Sequence, residues 1–518
     1  MTKRRTIIIL TLITLGGFLL RLIFLLNRGP FWFDEAWSVH FSSIPSWAET
    51  WKYWIIETNP FLHTLILRGI IHLFGEGATT VRLLSLLVGT ACIPLTYVIA
   101  RQCELEKSTA FIATALIALS QNHIYFSAET RIYALLCLLT TLGFLSLLRI
   151  ISGRAVSNTL IALYGLIILL SLYSHLTILA LIPIHFLIIF LAYHQNIITK
   201  NSLKKLLFTL FLSGALFLIW FIPSILQKMN SGLINGWYFS TASKYDGNIL
   251  MSVTSLFTNT STPATGLMVF GIICAGAFFF FIIKLFTFEK PPLKHWTILA
   301  WAIFPIIIAA CFGHYIPKFF NFCLPAIAII LAAFGKRITD AKLRFGFYAI
   351  LLIVPFTTSL PALMSPTLDP RNIVNYIEKR ATDKSVIMIN PFNEILTWGR
   401  YYHGPGEIVG AYPTDDQLSM DERIARYNWQ KITISDEDLQ KWYCKQAETK
   451  QIDKIFFIEP CENPSHAVTV LLQMGWRYTG RNNDEFTKNH SINYYVHEIL
   501  PPIANGTSTP SGTKNKSR

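Results

Sequence analysis

The sequence predicts an α-helical polytopic membrane protein of about eleven transmembrane helices, with interfacial helices on the outer face and a small C-terminal α/β soluble domain. Three observations lead there. Of 518 residues, 52% are hydrophobic and only 14% charged, where a soluble domain carries about a quarter charged residues. Apolar segments of spanning length recur along most of the chain, and beyond residue 363 the composition turns ordinary and globular.

The first span, 6–26, follows the basic N-terminus MTKRR. It is long for a signal peptide, lacks an Ala-x-Ala cleavage site and precedes many other spans, so it reads as a retained helix. Further spans fall at 80–100, 109–121, 131–149, 158–173, 176–194, 206–226, 266–286, 296–313, 319–335 and 345–361. The run 61–74 is short for a crossing and contains Arg68 and His72, which makes it an interfacial helix.

Charge placement supports that choice. With 61–74 not crossing, the clusters at Lys3 to Arg5, Arg101 to Lys107, Arg149 to Arg154, Lys200 to Lys205, Lys284 to Lys294 and Lys336 to Arg344 share one side, the cytoplasm. The formal charge of +14 therefore reads as topology and not as a nucleic-acid groove. The expected arrangement is a multi-pass protein of the plasma (inner) membrane, its N-terminus cytoplasmic and its C-terminal domain extracytoplasmic. The domains are 1–363, with a first outer loop at 27–79, then an exported 364–500, and a disordered tail at 501–518. In the exported part IVNYIEKRA reads as a helix, while SVIMIN and DKIFFIE read as strands.

Cysteines are scattered without metal-ligand spacing, and export admits a Cys444–Cys461 disulfide. The chemically interesting residues lie on the expected outer face. FWFDEAWS places Asp34 and Glu35 among aromatic rings that include Trp37, which suits an acid serving as base and a ring stacking on a sugar. The bland alternative is an interfacial aromatic belt with two solvated acids. Glu57 and His63 flank the Asn59-Pro60 step, itself a natural helix start, and Glu57 with Asp34 leaves room for a divalent ion. FSAETRIYAL places Glu129, Arg131 and Tyr133 at the mouth of a span, where ionisable groups are costly and Arg suits a lipid phosphate. His175, His314 and Lys318 occupy two further outer turns and are candidates for neutralising a phosphate. Lys318 equally well snorkels. The loop 227–265, with Trp237 to Phe239, reads as a lid or an interfacial anchor.

In order, FWFDEAWS, ETNPFLH leading into FGEGATTVRLLSLLVGTACIPL, FSAETRIYAL, YSHL and YIPKFFNFCLPAIAII resemble the bacterial GT-C glycosyltransferases related to protein mannosyltransferases and the lipid A aminoarabinose transferase. The resemblance implies a GT-C-like fold and an inverting transferase on the outer face. It implies a polyprenyl-phosphate sugar as donor and a glycan, lipid or protein acceptor, with Asp34 in place of the essential acid. Lys318-Phe319 stands where the family usually has Arg-Tyr, and Lys lacks the bidentate fork of Arg. A lipid flippase or secondary transporter is the alternative, although such proteins usually place their sites near the midplane.

Overall fold

The computed structural model describes residues 2–57, 59–153, 156–230, 292–311, 317–364, 370–390, 394–410, 436–459, 465–482 and 494–502, with Gly276, Phe280 and Ile283. The chain divides into two compact units, one formed mainly by residues up to 367 and one that begins at Leu368.

The first unit is helical. It opens with α1 (Lys3–Asn27), α2 (Phe33–Ser43), α3 (Trp47–Ile56) and α4 (Leu62–Phe74). It continues through α5 (Ala78–Gln102), α6 (Lys107–Leu119), the short α7 (Gln121–Phe126) and α8 (Tyr133–Ile150). Next come α9 (Asn158–Leu172), a 3-10 turn at Leu176–Ala180, α10 (Ile182–His194) and α11 (Lys200–Asn230). Then follow α12 (Leu293–Cys311), a 3-10 turn at Pro317–Cys323, α13 (Leu324–Arg337) and α14 (Ala341–Met364).

Among the described residues six helices are long and apolar enough to cross a membrane, and several shorter ones are apolar. Every span predicted from sequence coincides with a helix except 266–286, most of which lies outside the described residues. Most of the loop 227–265 and the tail from 503 also lie outside them, as do His314 and Cys461.

Apolarity alone does not fix how these helices meet. The buried centre, α8, lies against α5 and α9, and its turn N-terminal to Tyr133 rests on α5 at Gly89. A Cβ at Gly89 would stand 2.1 Å from Ser127 Oγ, so only glycine lets the Ser127 turn come so near.

Arg21 ties the same corner together. Fully buried in α1, it donates to the carbonyls of Gly17 (2.8 Å), Ala118 (3.0 Å) and Ile117 (2.9 Å), to Ser127 Oγ (3.2 Å) and to His123 Nδ1 (2.8 Å). Ile117 and Ala118 close α6, where helix carbonyls lack intrahelical donors. The guanidinium caps that end and aims the chain into α7.

The second unit contains α15 (Arg371–Glu378), β1 (Ser385–Ile389), α16 (Ile395–Tyr401), β2 (Glu407–Gly410) and α17 (Asp436–Lys450). It ends with β3 (Lys454–Glu459), α18 (His466–Gln473), β4 (Arg477–Asn482) and β5 (Tyr495–Leu500). The strands form one sheet in the order β2-β1-β3-β5-β4, parallel among β2, β1 and β3 and antiparallel beyond. Helices cover both faces: Val386, Met388, Ile455 and Phe457 share a core with Leu439 and Val468, while Ile387, Ile389, Phe456 and Ile458 pack with Ile373 and Trp398. Burial on both sides explains why β1 and β3 read as continuous apolar runs without alternation.

Candidate active site

The site is built on the first turn of α2, the turn before α8 and the 3-10 turn at Pro317–Cys323. Asp34 and Glu35 both open α2, but successive helix residues diverge by about 100° and face different surroundings. Glu35 turns inward and is completely buried. Arg82 of α5 grips it through Nε–Oε1 at 2.8 Å and Nη2–Oε2 at 2.6 Å, and the Thr130 N–H adds a bond of 2.9 Å. Arg28 lies at 3.9 Å from the same carboxylate. Burial alone would raise the Glu35 pKa, but Arg28, Arg82 and the Thr130 amide hold it below the ordinary carboxylate value.

Glu35 is therefore engaged on both oxygens. Placed beside Asp34 among candidate catalytic acids by sequence, it is better read as the staple that fixes the first turn of α2. Arg82 completes the staple by donating to the carbonyls of Gly29 (2.7 Å) and Pro30 (3.0 Å).

Asp34 points the other way and keeps some exposure. Its Oδ2 lies 3.8 Å from Arg131 Nε and 3.5 Å from Lys318 Nζ. Arg131 also donates to the Asp34 carbonyl (3.2 Å) and to Ser38 Oγ (3.0 Å), which locks its guanidinium against α2. Lys318 sits over the rings of Tyr133 and Phe319, each 5.8 Å away. Asp34, Arg131, Tyr133 and Lys318, scattered over 285 positions of sequence from 34 to 318, thus share one partly open cluster.

Glu129 stands behind this cluster. It is fully buried, 3.3 Å from Arg28, and neither carboxylate oxygen has a hydrogen bond. Burial pushes its pKa up to about 7 against the pull of Arg28, and the charges of Glu35 and Asp34 add to the rise. At neutral pH it is poised between acid and anion.

His175 does not supply the positive charge expected of it as a group that neutralises a phosphate. His63, in the first turn of α4, and His175 are both buried. Burial, with the Arg131 charge nearby, lowers each pKa to about 3; Lys318 contributes at His175. Both imidazoles are neutral at physiological pH, so the positive charge comes from Arg131 and Lys318. His175 accepts the Thr177 N–H at Nδ1 (3.1 Å) and packs on Phe319 (5.0 Å). The Leu62 amide bonds the Tyr173 carbonyl at 3.0 Å, which joins the His63 and His175 turns.

Trp37 does not offer a ring face to a sugar. It is 5% exposed and packs on His40 and Phe41. Glu57, at the C-cap of α3, places its charge near enough to bear on Arg131. Sequence reasoning missed Arg28, Arg82 and Ser38. The available signal was an ionisable residue inside an apolar run, present at both Arg21 and Arg82.

The surroundings of Asp34 fit an anion better than a divalent cation, because two cations already flank its carboxylate. Among the described residues the one set of three possible metal ligands within 4.8 Å of one another is Cys92, His123 and Cys137, brought together without any motif spacing. Arg21 argues against a metal there. A guanidinium only donates, so His123 Nδ1 is an acceptor and the ring proton sits on Nε2, facing Cys137 Sγ at 3.7 Å. The lone pair that a metal needs is occupied by that proton.

Residues 58–225 match the dolichyl-phosphate-mannose-protein mannosyltransferase family. The fold is similar to that of ArnT from Cupriavidus metallidurans, with a TM-score of 0.56 and 12% identity over 95% of this chain and 97% of the other. The chain has the GT-C glycosyltransferase fold. The same GT-C fold relates it to the Archaeoglobus fulgidus oligosaccharyltransferase, at a TM-score of 0.52 and 12% identity over 87% and 67% of the two chains. Mycobacterial arabinofuranosyltransferase AftD matches at 0.50 and 12% identity, over 97% of this chain and 42% of that one. No curated protein matches the chain in sequence.

Proposed function

We propose that this chain is a membrane glycosyltransferase that moves a sugar from a polyprenyl-phosphate donor to an acceptor hydroxyl on the outer face, with inversion at the anomeric carbon. The observation that carries this reading is Asp34 held between Arg131 and Lys318. An acid and two cations at one opening supply a proton acceptor beside an anion site, which is what transfer from a lipid phosphate to a hydroxyl requires. Structures with the same fold add support: ArnT has been solved with undecaprenyl phosphate, and the archaeal oligosaccharyltransferase AglB with dolichol-phosphate and an inhibitory peptide.

In this scheme the donor phosphate takes over the contacts that Arg131 and Lys318 make with Asp34. Released from its ion pairs, the Asp34 carboxylate accepts the proton of the acceptor hydroxyl. The hydroxyl oxygen bonds to the anomeric carbon as the bond from that carbon to the phosphate oxygen breaks. The lipid phosphate departs with the electron pair and needs no proton, since the two cations balance its charge. Neutral His63 and His175 fit contacts with sugar or acceptor hydroxyls, because neither adds charge to the anion site.

Although one oligosaccharyltransferase structure contains zinc, no step here runs through a metal. The flippase alternative needs ionisable groups free to exchange partners along a path, whereas Arg21, the charge deepest in α1, already has five acceptors. The test is Asp34→Asn in a reconstituted transfer assay. We expect a loss of about 10²-fold or more in kcat with thermal stability preserved; full activity in a folded variant would end this reading.

A further inference from the structure

A hydrogen-bonded clasp joins α11 to the C-terminal end of α3. Trp220 Nε1 donates to the Trp54 carbonyl at 2.7 Å, Ser224 Oγ to the Ile55 carbonyl at 2.7 Å, and Lys228 Nζ to the Glu57 carbonyl at 2.8 Å. Residues 220, 224 and 228 are four apart and therefore lie on one helix face. They meet the carbonyls of residues 54, 55 and 57 at a helix end whose carbonyls lack intrahelical donors.

The last of the three is set apart by its chemistry. Lys228 also donates to Ser224 Oγ at 2.8 Å and lies over the Trp220 ring, so its ammonium is held from two directions before it reaches Glu57. A cation at a helix C-terminus is favoured by the aligned peptide dipoles. Here it also bears electrostatically on the Glu57 carboxylate, whose charge acts in turn on Arg131. The line from Lys228 to Glu57 to Arg131 connects α11 with the cation that holds Asp34.

We propose that Lys228 is a positioning residue: through its bond to the Glu57 carbonyl it holds the Glu57 carboxylate at the edge of the Asp34–Arg131–Lys318 cluster. This rests on the transferase reading for its consequence but not for its geometry. Trp220 and Ser224 anchor α3 itself, and Lys228 alone of the three acts on the residue that carries charge toward the site.

Two measurements test it on the full-length protein in lipid. In the transfer assay, Lys228→Met should lower kcat about tenfold with little change in donor KM or thermal midpoint, and Lys228→Arg should restore most of it. Combining Lys228→Met with Glu57→Gln should be no worse than Glu57→Gln alone. Independently of activity, a Glu57→Cys variant should react with a membrane-impermeant maleimide several-fold faster when Lys228→Met is added, above the background of the native cysteines, and not when Lys228→Arg is added. Additive losses, or a labelling rate indifferent to Lys228→Met, would overturn the proposal. Faster labelling in a chain whose wild type transfers no sugar would refute the transferase reading and leave the clasp standing.

Discussion

Glu35 and Arg82 meet through two parallel hydrogen bonds of 2.8 and 2.6 Å, wholly inside the protein, while Asp34 one residue earlier faces a partly open cluster. The two acids should respond differently to amide substitution. Breaking a buried pair by removing one partner leaves an uncompensated charge and costs about 3–5 kcal/mol. Glu35→Gln should therefore reduce the thermal midpoint and folded yield in detergent. Asp34→Asn should leave both near wild type and lose transfer instead, and equal destabilisation by the two variants would show that their environments have been misassigned.

The cations flanking Asp34 provide a second comparison. Arg131 has a second anchor at Ser38 Oγ, whereas Lys318 has aromatic support and one ion pair. Lys318→Ala should reduce kcat by about 10²-fold, the scale for removing one group that stabilises developing charge. Lys318→Arg should keep most activity, since an arginine adds a planar fork suited to phosphate. Donor titrations should place the loss in kcat and in affinity for the lipid phosphate, with acceptor KM little affected.

Glu129 should give the protein a pH-dependent stability. Its carboxyl is raised from the ordinary 4.5 to about 7. The folded chain thus holds that proton more tightly than the unfolded chain. The stabilising effect is complete below about pH 4.5, is lost as pH rises toward 7, and is flat above; its full size is on the order of 3 kcal/mol. The thermal midpoint should fall between pH 5 and 7.5, and Glu129→Gln should remove that contribution. A decline of the same size in Glu129→Gln would assign it to another group.

Much of this was legible in sequence, for identifiable reasons. Spans show because lipid demands long apolar runs, and α1, α5 and α8 lie where hydropathy places them. Asp34, Arg131 and Lys318 stood out because charge near a bilayer is costly. The separation of Asp34 from Glu35 was hidden, since adjacency in sequence does not reveal which way each helical side chain turns. Pairings such as Glu35 with Arg82, or Cys92 with His123 and Cys137, depend on how α2, α5, α7 and α8 rotate against one another. Hydropathy carries no information on that rotation.

Chelation tests the cysteine cluster. Arg21 directs a donor at His123 Nδ1, which leaves Nε2 protonated toward Cys137. Dialysis against a strong chelator should therefore leave the thermal midpoint unchanged, and elemental analysis of purified protein should find no stoichiometric zinc. Replacing Arg21 with Met should lower stability by removing the cap on α6, whether or not chelator is present. A midpoint that falls on chelation and recovers with zinc would mean that the imidazole adopts the other tautomer.

The close approach at Gly89 supplies a last prediction, one that separates packing from chemistry. A Cβ there would stand 2.1 Å from Ser127 Oγ and 2.7 Å from Ser127 Cβ, in a turn that Arg21 also holds. Overpacking a tight contact typically costs about 1–3 kcal/mol. Gly89→Ala should destabilise the fold by that amount, seen as a lower thermal midpoint, and it should also reduce transfer, because the displaced turn leads through Glu129 to Arg131. Adding Ser127→Gly removes the opposing side chain and should recover much of the lost activity, although the bond from Arg21 to Ser127 is gone. If activity stayed low while stability returned, the turn would be controlling Arg131 through something other than its distance from α5.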